Sequence, residues 1–132
     1  MTETTRVKIT SLASAPERAM KNNKGRARDL VGLPDGALGV DVHLNVINSD
    51  TPVAPYHIHK KAENVYIILE GTAEAIIDGV RHQLTTDDVV FIPPGVPHAV
   101  GGGGEGPVKL IEIYAPAGSD FHLVDTPPEV ID

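Results

Sequence analysis

Three histidines carry the first chemical signal in this sequence. His57 and His59 are two residues apart, and His98 follows later, directly after Pro93-Pro94-Gly95-Val96-Pro97. Residues i and i+2 of a strand point to one face, so the first two imidazoles share a direction. Glu63 and Asn64 come after the short stretch Lys60-Lys61-Ala62 and can return an oxygen donor to that face. Imidazoles combined with an oxygen donor suit a divalent transition metal, namely Fe(II), Mn(II), Ni(II), Zn(II) or Cu(II). The chain has 0 cysteines, so any such site uses nitrogen and oxygen alone, and disulfides and thiol nucleophiles are excluded.

These side chains need strands to hold them. Val53–His59 reads as the first. The apolar run from Val65 to Leu69, closed by Gly71, reads as a strand buried on both sides. Residues 37–47 alternate, with Val40, Val42, Leu44 and Val46 against Asp41, His43 and Asn45, the pattern of a half-buried strand. Asp78-Gly79 between apolar flanks predicts a two-residue hairpin turn. Pro94-Gly95 suits the centre of a type II turn that delivers His98. Val7–Leu12 is expected as an edge strand, Ala15–Lys21 as a short helix, and the glycine run from Gly101 to Gly104 as a flexible loop or lid. The last core strand is Lys109–Tyr114, followed by a tail from Ala117 in which Phe121 and Leu123 are expected to dock on a neighbour. Roughly eight to ten short strands with regular turns predict a closed or two-sheet all-β fold.

Together, His57-Ile58-His59 with Gly71, and Pro93, Gly95 and His98, resemble the two motifs of the cupin superfamily, over about Ala54–Val100. The resemblance implies a single domain over 1–132, a small jelly-roll barrel (double-stranded β-helix) with its core at about 37–115. It also implies a metal held by His57, His59 and His98 with a fourth ligand. Counting forward from His59 selects Glu63 for that place; counting back from Gly71 selects Asn64. Three histidines with Asn64 leave the dication's charge uncompensated by protein, whereas Glu63 would halve it. Two family positions differ: Gly102 stands where the second motif has an asparagine, and Thr86-Asp87-Asp88 replaces its leading glycine. Tyr66 shares a face with Asn64 and is a candidate catalytic acid or base, or a packed aromatic.

A net charge of −7 argues against nucleic acid or an anionic membrane as partner. The start, MTETTRVKIT, has no apolar signal-peptide core, and a cytoplasmic location is the expectation. His43 belongs to solvent or to the barrel rim, His82 to the surface and His122 to the tail. Arg26 and Arg28 read as an anion clamp or a solvated pair. Two functions fit: a metal-dependent enzyme acting on a small oxygen-rich or carboxylate metabolite (dioxygenase, isomerase, lyase or decarboxylase), or a domain that binds a sugar or small acid without chemistry. A homodimer through the apolar face Val65-Ile67-Leu69 is expected.

Overall fold

The computed structural model describes residues 6–118, 120–127 and 129–132. Two antiparallel sheets face each other. The first has the order β1 (Glu17–Ala19), β2 (Gly25–Val31), β3 (Asp41–Ile47), β10 (Val108–Ala115), β5 (Glu63–Glu70) and β8 (Val89–Ile92). The second runs β11 (His122–Leu123), β4 (His57–Ile58), β9 (His98–Gly102), β6 (Thr72–Ile77) and β7 (Val80–Thr85). This is the jelly roll expected from the strand pattern. Among the described residues the only helical elements are two 3-10 turns, Lys21–Asn23 and Leu33–Asp35, and no helix is long and apolar enough to cross a membrane.

The barrel's apolar filling comes from the period-2 faces of its strands. Ile47, Ile68, Ala73, Ala75, Leu84, Ile92, Val100, Val108 and Leu110 pack into one cluster. Burying side chains such as Ile68, Ile92, Val108 and Leu110 stabilises the fold by roughly 1.5–3 kcal/mol each. On the outside of the first sheet, Leu44, Leu30 and Ala15 form a second cluster with Val31, Val42, Leu69 and Ile111 against it. The β6–β7 hairpin turns at Asp78 and Gly79, with φ of 49° and 79°, the left-handed pair a type I′ turn needs.

Three local expectations are corrected. Val7–Leu12 forms no strand; Val7 and Ile9 are exposed and find no partner sheet among the described residues. Ala15–Lys21 is not a helix, because Glu17–Ala19 pairs with Arg26–Arg28 and the sheet's hydrogen bonds override a weak helical propensity. The glycine run is no free lid. Gly101 and Gly102 lie buried in β9, where an added Cβ would come within 2.5 Å of the Pro52 carbonyl oxygen and 2.4 Å of that of Asn48. The loop before β4 lies directly on β9, with the Gly102 and Gly104 amides donating to the Thr51 and Ser49 carbonyls, and only glycine permits that approach.

Candidate metal centre

β4 and β9 place His57 directly opposite His98, and His59 follows on the same face as His57. One nitrogen from each of the three rings lies within 4.8 Å of the others, and all three residues are buried. Their second nitrogens define the tautomers. His57 Nδ1 donates to the Pro55 carbonyl at 2.8 Å, His98 Nδ1 to that of Val96 at 2.9 Å, and His59 Nδ1 to that of Asp120 at 2.6 Å. A carbonyl only accepts, so each Nδ1 carries the proton and each Nε2 keeps its lone pair for another partner. Burial pushes the His57 imidazole down to about 4, aided by the neighbouring His98 and His59 rings. Burial also lowers His98. Both rings therefore stay neutral at physiological pH.

Asn64 carries a further buried lone pair on the inner face of β5. It is 0% exposed on β5, and its amide nitrogen donates to the Ile113 carbonyl at 3.0 Å. Its Oδ1 is buried with no hydrogen-bond partner, as are Nε2 of His59 and of His98. Buried polar atoms without partners cost roughly 1–3 kcal/mol each. All three atoms are lone-pair donors, and the His59 and His98 rings belong to a cluster of three that could hold a divalent cation. Glu63 does not join them. It is one residue out of phase with Asn64, so the strand's alternation turns it to the exposed outer face.

Tyr66 is 4% exposed and shares the inner face with Asn64, its ring centroid 6.3 Å from that of His98. Its hydroxyl is pushed well above the usual phenol range by burial and then by the nearby Glu112 and Tyr114. Tyr114, with its centroid 4.9 Å from that of His59, is raised in the same way. Glu112 is itself buried and accepts from Asn45 Nδ2 at 3.0 Å. Neither Glu112 nor Tyr114 is a motif residue. The signal for them lies in the alternation Leu110-Glu112-Tyr114, but Ile111 and Ile113 on the other face are equally apolar.

The tail closes over this end of the barrel. Phe121 stacks on His57 at 4.3 Å and keeps an exposed face, while Leu123 pairs with His57 in the sheet and stays exposed. The Asp120 carboxylate accepts from the amides of Lys60, Lys61 and Ala62 and from His122. Burial opposes its charge, yet these donors together hold it well below the usual carboxylate range. His43 sits at the rim, bonded to Asp41 at 2.6 Å. His82 is exposed, and Arg26 and Arg28 pair with Glu17 and so form no clamp.

Comparisons with known proteins agree with this architecture. Residues 44–114, more than half of the chain, match the cupin domain family. An uncharacterised protein of Methanocaldococcus jannaschii is 33% identical over 55 residues, covering 42% of this chain and 44% of that protein. Quercetin 2,3-dioxygenase of Bacillus subtilis is 38% identical over 45 residues, covering 34% of this chain and 13% of the enzyme. The chain thus spans less than half the length of either of these curated relatives. Among solved structures, the polyketide cyclase RemF from Streptomyces resistomycificus superposes with a TM-score of 0.77 at 19% identity, over 94% of this chain and 89% of the cyclase. Two facing antiparallel sheets, histidines gathered at one end of the barrel and a family match through its core lead to one conclusion: this chain belongs to the cupin family.

Proposed function

We propose that this protein is a metal-dependent enzyme acting on a small oxygen-bearing metabolite, with His57, His59, His98 and Asn64 as the ligands of a divalent first-row transition metal. The observation that carries the reading is the set of buried lone pairs without partners on His59, His98 and Asn64, beside a third imidazole fixed in the same tautomer. A bound metal would supply Lewis acidity to a carbonyl or hydroxyl oxygen, or O2 activation if it is iron. The protein's own groups do the rest. Tyr66 and Tyr114, kept protonated, offer hydroxyl donors along the wall beside the centre; Phe121 limits the access of water to His57. Tyr66 thus orients ligand rather than acting as a base. The likeness to a dioxygenase supports an enzyme over a receptor without chemistry.

The test is metal content of the purified wild type against His59→Ala. Near-stoichiometric metal in the first and a loss of more than about tenfold in the second are expected. Equal content in both would defeat the ligand set. Turnover that appears with added Fe(II) or Mn(II) separates the enzyme from the receptor, which would be stabilised by ligand and release no product.

The protein also pairs with a second copy in this reading. Val89 and Phe91 on the edge strand β8 are exposed and lie opposite Ile67 and Val65, an apolar patch beside unpaired strand groups. A monomeric mass in light scattering would contradict it.

A further inference from the structure

Asp120 touches the histidine cluster with two different parts of itself. Its backbone carbonyl accepts the His59 Nδ1 proton at 2.6 Å. Its carboxylate accepts three successive amides, Lys60 at 3.1 Å, Lys61 at 2.7 Å and Ala62 at 2.9 Å, and also His122 Nε2 at 3.0 Å. Those amides form the connection between β4 and β5, the stretch that separates His59 from Asn64. The other two imidazoles are fixed locally. His57 bonds to Pro55 and His98 to Val96, each two residues upstream in the chain. The acceptor of His59 is 61 residues away in sequence. The His59 backbone is held separately, its carbonyl accepting from the Gly95 amide at 2.7 Å. What Asp120 adds is therefore control of the ring. An imidazole with no partner on Nδ1 is free to turn over or change tautomer, and then offers a cation the wrong nitrogen or a proton.

We infer that Asp120 is a positioning residue of the metal centre: its carbonyl sets the tautomer and rotation of His59, and its carboxylate holds the turn that spaces His59 from Asn64. The inference rests on the metal reading above and deepens it, because one ligand of the centre then depends on the tail. A carboxylate that gathers four donors is a charge-assisted clamp, and it is the clamp that places the carbonyl. The rest of the tail has anchors of its own. The Val124 amide donates to the Tyr56 carbonyl at 3.1 Å, and Arg81 Nε donates to Asp132 at 2.8 Å. Loss of the Asp120 carboxylate thus frees the 60–62 turn and the His59 ring without detaching the tail.

The experiment has two readouts on the full chain. In metal-free, isotope-labelled protein, the NMR signal of the His59 Nδ1 proton should be visible in wild type and lost to solvent exchange in Asp120→Ala, while those of His57 and His98 persist. With Co(II), the Kd read from the visible cobalt absorbance should rise by about tenfold or more in Asp120→Ala. It should stay constant in Arg81→Ala, which unties the far end of the tail. An Asp120 that only stabilises the fold would lower the melting temperature and leave both readouts of the folded protein unchanged, and that result overturns the inference. An equal loss of affinity in Arg81→Ala would assign the effect to the whole tail and overturn it too. Should Asp120→Ala fail to fold, Asp120→Asn takes its place: it keeps the shape with one acceptor oxygen fewer, the Kd should rise in the same direction, and a constant Kd overturns the inference equally. Cobalt that does not bind wild type overturns the metal reading itself, and with it the role assigned to Asp120.

Discussion

The interior of the barrel has two ends, and the same strands build both. Along β3 the inward residues run His43, Asn45, then Ile47; along β10, Tyr114, Glu112, then Leu110 and Val108; along β5, Asn64, Tyr66, then Ile68. On the opposite sheet β9 passes from His98 to Val100. Chemistry changes at one level across the whole section. Below it the side chains are apolar and contribute stability through burial. Above it, buried polar atoms lack partners and impede folding unless something binds them. Stability and function are thus separated along the barrel axis rather than between domains.

Four measurements would break or sharpen that division. Leu110→Ala, at the apolar end, should lower unfolding free energy by about 2–5 kcal/mol in denaturant titration while metal bound per folded molecule stays constant. A fall in metal stoichiometry there would erase the boundary. Acid should act only at the polar end. His57 takes up a proton near 6.5 in the unfolded chain but only near 4 when folded, so the unfolded state binds more protons between those values. Metal-free protein should therefore be at full strength above about pH 6.5 and lose on the order of 2 kcal/mol between pH 7 and 5, with burial of His98 acting in the same direction. A pH-independent midpoint in urea over that range would contradict it.

Asn64→Ala should reduce metal occupancy by about tenfold while changing apo stability little, because it removes one buried atom without a partner and leaves the Ile113 carbonyl without its donor. Unchanged metal analysis would remove Asn64 from the ligand set. Glu63→Ala, on the outer face, should stay within about 0.5 kcal/mol of wild type and keep its full metal content.

The sequence made the barrel and the three imidazoles legible, because period-2 alternation and two fixed turns decide both. Other features depended on information that alternation does not carry. The choice between Glu63 and Asn64 is a question of phase, and β5 must be placed before its inner face is known. Glu112 was hidden because Ile111 and Ile113 make both faces of β10 look like core. The helix expected at 15–21 gave way to pairing with β2, a tertiary effect, and the glycine run looked loose because its tight neighbour, the loop before β4, is distant in sequence. The tail has no periodic pattern to announce that Asp120 and Phe121 reach the histidines.

Asp120 gives the molecule an order of assembly. A ribosome delivers the chain from its N-terminal side at roughly 5–20 residues per second, so the imidazoles at 57, 59 and 98 emerge before the segment whose carbonyl fixes His59 and whose carboxylate gathers the amides of 60, 61 and 62. Until that segment arrives, His59 is free to rotate and a nascent barrel has no rigid claw for stray cations. Any cation would thereby meet a fixed set of imidazoles only after residue 120 has emerged.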